Sequence, residues 1–269
     1  MIRWLVAAAL TMSLTPGLSY AIEITNIRPC YGPFGAKRVG DTWLPGDVVF
    51  MAYDIEGLTP DTKTGLVKYT TTLEFVDPAG KILFSKPTPN EFIPALGGNK
   101  VPGDLHVFLA TKQAPGKYEI RLTVEDEIGK NAKRFIYKFD VAKETFGFAG
   151  VSAPSVGFPG QHYSTQFGLV NLQLDKMGMP SAEVTVRVLD DKTRTLVGGA
   201  VKMVFPRDLP LDIDLKEANF LPLKNPIYLN RPGRFIVEIT ATDKLAGSPP
   251  VVLSYPITVF DVSAISSQK

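Results

Sequence analysis

The residues able to do chemistry are few and far apart. The chain holds two histidines, His106 and His162, and one cysteine, Cys30. The histidines sit in separate alternating runs, "DLHVFLA" and "QHYSTQF". A metal site needs ligands at short spacing, so both histidines read as outward strand residues. No G-x-S-x-G occurs, and "LGGNK" (96–100) lacks the Walker spacing and a following helix. Asp212, Asp214 and Glu217 in "LDIDLKEA" could sit together as calcium ligands, although calcium takes six to eight oxygens. Their alternation around Ile213 equally describes the wet face of a strand. Asp190-Asp191 and Glu125-Asp126-Glu127 read as turn chemistry. The remaining candidates are aromatic: Tyr31, Phe34 and Trp43 in "CYGPFGAKRVGDTWLPG". An exposed flat ring there could stack on a sugar; a buried one would plug a core. No catalytic residue, metal or cofactor is expected.

The ends and the composition set the compartment. Arg3, the apolar run "WLVAAALTMSL" and the small residues Ser19 and Ala21 have the order of a cleaved signal peptide over residues 1–21. A span needs about 20 apolar residues, and no later run supplies them, so no membrane span is expected in the mature chain. Cys30 in "IRPC" lacks the residues that precede a lipidated cysteine, which leaves the periplasm, the cell surface or the medium. A single cysteine permits no intrachain disulfide. It either stays a buried thiol or pairs between chains. The 269 residues carry a formal net charge of +2 with both signs interspersed, and the longest basic cluster, "KNAKR" (130–134), reads as a hairpin loop. No nucleic-acid partner is expected.

The elements that must position any site are written twice. "APGKYEIRLTVEDEIG" (114–129) returns as "RPGRFIVEITATDKLAG" (231–247). Tyr118, Ile120, Leu122 and Val124 alternate with polar residues, as do Phe235, Val237, Ile239 and Ala241 opposite a more variable face. Period two with one apolar face marks a half-buried strand. The copies keep the inward residues, the preceding Pro-Gly (Pro115-Gly116, Pro232-Gly233) and a closing aspartate (Asp126, Asp243), while outward charges change freely. That pattern preserves packing, not a reaction. "LPGDVVFMAYDIEG" (44–57) likewise matches "FPGQHYSTQFGLVN" (158–171), and both copies contain Phe-Asp-Val, at 139–141 and 260–262. A period of about 117 residues is too long for a solenoid, so each copy is expected to be self-contained. Many short apolar runs between Gly, Pro, Asn and Asp predict an all-β sandwich or barrel. The best helical candidate, "LKEANFLPL" (215–223), is interrupted by Pro222.

"PGKYEI" resembles the start of strand F in immunoglobulin-like domains, with Gly116 and Tyr118 in the expected positions and Ile120 where a disulfide cysteine would stand. The second copy offers Gly233, Phe235 and Val237. The resemblance implies two tandem Ig-like β-sandwiches, at 22–141 and 146–262, followed by a tail at 263–269. Gly116, Tyr118, Ile120, Leu122, Gly233, Phe235, Val237 and Ile239 would form the repeated structural core. The expected function is a non-enzymatic, exported binding or spacer module of the cell envelope. It would recognise an envelope protein or polysaccharide through sandwich loops or strand edges. The alternative is a carbohydrate-binding module using the aromatics near Trp43.

Overall fold

A computed structural model describes residues 21–98, 100–206 and 215–261. The leader reading of residues 1–21 (all but Ala21) and the tail reading of 263–269, together with Asp212 and Asp214, lie outside the described residues, as does the side chain of Glu217. The first half consists of β1 (Glu23–Tyr31), β2 (Ala36–Lys37), β3 (Thr42–Trp43), β4 (Val48–Glu56), β5 (Val67–Val76), β6 (Ile82–Phe92), β7 (Lys100–Phe108), β8 (Gly116–Asp126) and β9 (Asn131–Val141). The second half opens with β10 (Gly147–Ser152), β11 (Val156–Gly157), β12 (Gln161–Val170), β13 (Ala182–Asp190) and β14 (Val201–Phe205). A single helical turn, α1 (Leu215–Ala218), precedes β15 (Phe220–Leu229), β16 (Gly233–Asp243) and β17 (Val251–Val259).

The strands pair into four sheets: β2-β1-β4-β7 and β3-β9-β8-β5-β6 in the first half, β10-β12-β15 and β11-β17-β16-β13-β14 in the second. Apart from β2, the second pair repeats the strand order of the first. In each half the short strand β3 or β11 runs parallel to the last strand. The fold is all-β and sandwich-like, because alternation gives each sheet one apolar face that only a facing sheet can cover. Tyr118, Ile120, Leu122 and Val124 are buried, and so are Phe235, Val237, Ile239 and Ala241.

Polar side chains fasten the turns. Asp61, Asp77, Asp175 and Asp190 each accept backbone N–H groups from the turn that follows them. The closing aspartates go further. Asp126 Oδ1 accepts from Ile128 N and Gly129 N while Oδ2 accepts from Thr59 N; Asp243 does the same with Leu245 N, Ala246 N and Gln173 N. Each buried carboxylate thus ties its own turn to a distant loop. Tyr118 donates its hydroxyl to Ala114 O at 2.9 Å. At the equivalent place Phe235 has no hydroxyl and carries the Arg231 guanidinium 4.9 Å above its ring.

Two expectations need correction. Val141 pairs with Gly116, and Val259 pairs with Gly233, so these two valines are equivalent. The second Phe-Asp-Val therefore begins just after β17, and its match to residues 139–141 is fortuitous. The two cores are also not fully separate, because Tyr31 and Ala36 of the first half belong to the apolar cluster of the second.

Candidate functional site

The aromatic lead-in forms the joint between the halves. Residues 32–35 turn so that Ala36 N donates to Ala153 O at 2.9 Å and Ala153 N donates to Tyr31 O at 3.0 Å. A Cβ on Gly35 would stand 1.9 Å from Tyr31 O, so the turn closes only with glycine there. Tyr31 meets Tyr255 edge-on at 6.5 Å. Trp43 is 0% exposed, edge-on to Phe139 and beneath the Arg38 guanidinium at 4.4 Å. Asp47, also buried, accepts from Val48 N and from Gly150 N across the joint, and pairs with Arg38 Nη1 at 3.0 Å. Burial pushes the Asp47 carboxyl up, against the pull of Arg38 and of the two N–H groups. Trp43 and Tyr31 therefore offer no ring face to a sugar. Only Phe34 of the three is exposed, and one ring is not a platform. The sugar reading of this cluster is corrected: its rings are consumed by packing.

The other candidates are scattered. His106 and His162 are exposed on strands of different halves. Cys30 is buried and its thiol is pushed up to about 11, chiefly by burial, so it is not presented for pairing between chains. Among the described residues no three His, Cys, Asp or Glu side chains converge as a metal site, and no helix is long and apolar enough to cross a membrane.

A concavity lies elsewhere, where the first sandwich is open between its edge strands β6 and β7. The cleft has a volume of about 680 Å³, within the range of ligand pockets. Its floor includes Leu73, Phe75, Leu105 and Leu122. Pairing places Asn90 opposite Tyr69, Thr88 opposite Thr71, Lys86 opposite Leu73 and Phe84 opposite Phe75. The cleft therefore grades from polar at the Tyr69 end to apolar at the Phe75 end. Tyr53 joins the polar end, paired across β4 and β7 with Gly103. A Cβ on Gly103 would come within 2.5 Å of the Tyr53 ring, so this glycine makes room for it. Tyr53 and Tyr69 are 6% and 7% exposed, yet neither hydroxyl bonds a protein group among the described residues. Burial pushes both phenols up, and in Tyr53 the neighbouring Tyr69 and Asp104 add to it.

Sequence reasoning passed over this site because "FSKPTPNEF" looks like a loop. Its signal was the alternation of Phe84, Lys86, Thr88 and Asn90, together with Gly103 inside a strand.

No protein-family model matches the chain, and no curated protein does. Among solved structures, the chain is similar to red sea bream transglutaminase at 9% identity and TM-score 0.28, over 90% of this chain and 31% of that one. It is similar to dimeric latent PorU from Porphyromonas gingivalis at 15% identity and TM-score 0.39, over 88% and 20%. For Escherichia coli alpha-2-macroglobulin activated by porcine elastase the values are 12%, 0.28, 90% and 20%. The chain spans a third or less of the length of each of these proteins.

Proposed function

We propose that this chain is an exported, non-enzymatic binding module that holds its ligand in the cleft of its first sandwich. The second sandwich and the buried joint would serve as a rigid mount. Both halves are read as Ig-like sandwiches and as products of a duplication, a reading supported by the repeated strand order and the two aspartate-closed corners. Export is supported by the leader-like first 21 residues.

The observation that carries the binding reading is the pair of tyrosine hydroxyls, Tyr53 and Tyr69, which open onto the cleft from largely buried rings and bond no protein group among the described residues. Each hydroxyl can both donate and accept, and a ligand oxygen or amide in the cleft would pair with it. Recognition through the edges of β6, β7 and β15 has less support. Pro87 and Pro89 lie in β6, Pro102 in β7, and Pro222 and Pro226 in β15, all edge strands. Proline is accommodated there with its nitrogen toward solvent, and it breaks the row of donors an added strand would need.

The test is to incubate the purified protein with an envelope extract of its host and examine it by native mass spectrometry. Thr88→Trp, which fills the cleft from an exposed strand, is run alongside. A bound small molecule on the wild type that is missing from Thr88→Trp is the expected result. The same adduct on both proteins, or none on either, would overturn the proposal.

A further inference from the structure

The polarity of the cleft specifies its ligand more narrowly than its volume does. From Tyr69 to Phe75 the inward row of β5 spans about 20 Å at the usual rise per residue. The space is a slot between two sheets, whose packing distance is about 10 Å. It suits an elongated ligand.

One end of the slot is lined by Phe75 and Phe84, with Leu73, Leu105, Val107 and Leu122 beside them. These side chains are apolar; the polar groups beside them are Lys86, opposite Leu73, and His106, between Leu105 and Val107. The other end gathers the hydroxyls of Tyr53, Tyr69, Thr71 and Thr88 with Asn90, whose Nδ2 donates to Thr88 O and Thr71 Oγ1 and leaves its Oδ1 to accept from a ligand. Phe92 packs edge-on against Tyr69 at 6.2 Å. Formal charge at the rim is opposed. Lys86 makes no ion pair among the described residues, Asp104 makes none either, and Asp104 stands close enough to Tyr53 to raise its phenol. Asp104 alternates with the inward Gly103 and Leu105 and so stands on the outer side of the rim, while Lys86 shares the inward row of β6; a charged head of either sign would lie near one of these like charges. Neutral hydroxyl and carbonyl groups suit the tyrosine, threonine and asparagine groups in both donor and acceptor roles.

We infer that the cleft binds a single-chain amphiphile with a neutral, hydroxyl- and carbonyl-bearing head, of which a monoacylglycerol is the simplest example. The alkyl chain lies along Leu73, Phe75 and Phe84, and the head bonds Tyr53, Tyr69 and Asn90. This rests on the reading of the cleft as the binding site. Two features of the fold support it: the prolines of β6 and β7 make a peptide strand a poor occupant, and the phenylalanines and leucines of the apolar end give a polar sugar few bonding partners.

The experiment is a calorimetric titration of the purified protein with monodecanoylglycerol below its aggregation threshold, with decanoate and maltotriose as comparison probes. Saturable one-to-one binding of monodecanoylglycerol is expected, with weaker binding of decanoate and none of maltotriose. Tyr53→Phe/Tyr69→Phe, which keeps both rings and removes only the hydroxyls, should weaken binding by about tenfold, since each neutral hydrogen bond contributes a few-fold. Thr88→Trp should abolish it. If Thr88→Trp misfolds, Asn90→Phe/Thr88→Met takes its place. Undiminished binding by the double phenylalanine variant, or decanoate binding as tightly as the glyceride, would overturn the assignment of the head. If an extract-derived molecule occupies the cleft while monodecanoylglycerol does not bind, the ligand class is wrong and the site stands. If nothing occupies the cleft from either source, both fall.

Discussion

The two sandwiches share a strand order, yet one is open where the other is filled. Register shows which residues make the difference. Inward along β6, the first has Asn90, Thr88 and Lys86; at the same rungs of β14 the second has Phe205, Met203 and Val201. Across the slot, Gly103 pairs with Tyr53 in the first, whereas Leu223 pairs with Phe167 in the second. Thr71 and Leu73 are accordingly half-buried, while their counterparts Val184 and Val186 are buried. Small or polar residues at four inward positions thus keep β6 from closing onto the core, since burying them would strand polar groups without partners. The backbone sets the fold, and this short inward row decides whether there is a cleft. The same frame holds an open cleft in one half and a packed core in the other.

Exchanging the character of the halves tests that comparison. Leu223→Gly should hollow the second sandwich and destabilise it by about 4 kcal/mol, combining a deleted leucine with the entropic cost of glycine in a strand. Chemical denaturation would measure it, and a cost below about 1 kcal/mol would mean that Leu223 does not fill the slot. Next come the corners, where the halves should behave alike. Asp126→Ala and Asp243→Ala each strand three backbone donors, and each should cost about 3 kcal/mol. A large effect at only one would show that the two corners are not equivalent. The converse of the first change, Asn90→Phe/Thr88→Met, should close the first sandwich and raise its stability by about 1–2 kcal/mol through added apolar burial.

The joint provides the smallest and most specific test. Asp47 is raised in the folded state, so its contribution to stability is fully present below the unfolded value near pH ~4 and is lost as pH rises through the folded value. Asp47→Asn removes that titration. Comparing the two proteins from pH 4 to 7, the stability advantage of the wild type over the variant should shrink as pH rises. An advantage that grows would place the carboxylate in a site that favours its charge.

Much of the frame was legible in the residues. Alternation at Tyr118–Val124 and Phe235–Ala241, the Pro-Gly turns and the closing aspartates are local signals, so strand type and the repeat could be read directly. The joint was not legible, because Tyr31 packs against Tyr255 from far along the chain and aromatic content alone cannot show which ring faces are covered. The cleft was hidden for a different reason. "SKPTPN" has loop composition, and its meaning depends on pairing: only the register with β5 turns Lys86, Thr88 and Asn90 into the wall of a slot. The Phe-Asp-Val match shows the opposite hazard, in which identical letters occupy inequivalent places.

The measurement that bears most directly on the central claim is fluorescence titration of the purified protein with 1-anilinonaphthalene-8-sulfonate, set against Asn90→Phe/Thr88→Met. The wild type should bind the dye at one saturable site that the filled variant has lost, while the variant melts at an equal or higher temperature. Equal dye binding by the two folded proteins would contradict the account, because the apolar surface that the dye reports would then lie outside the cleft.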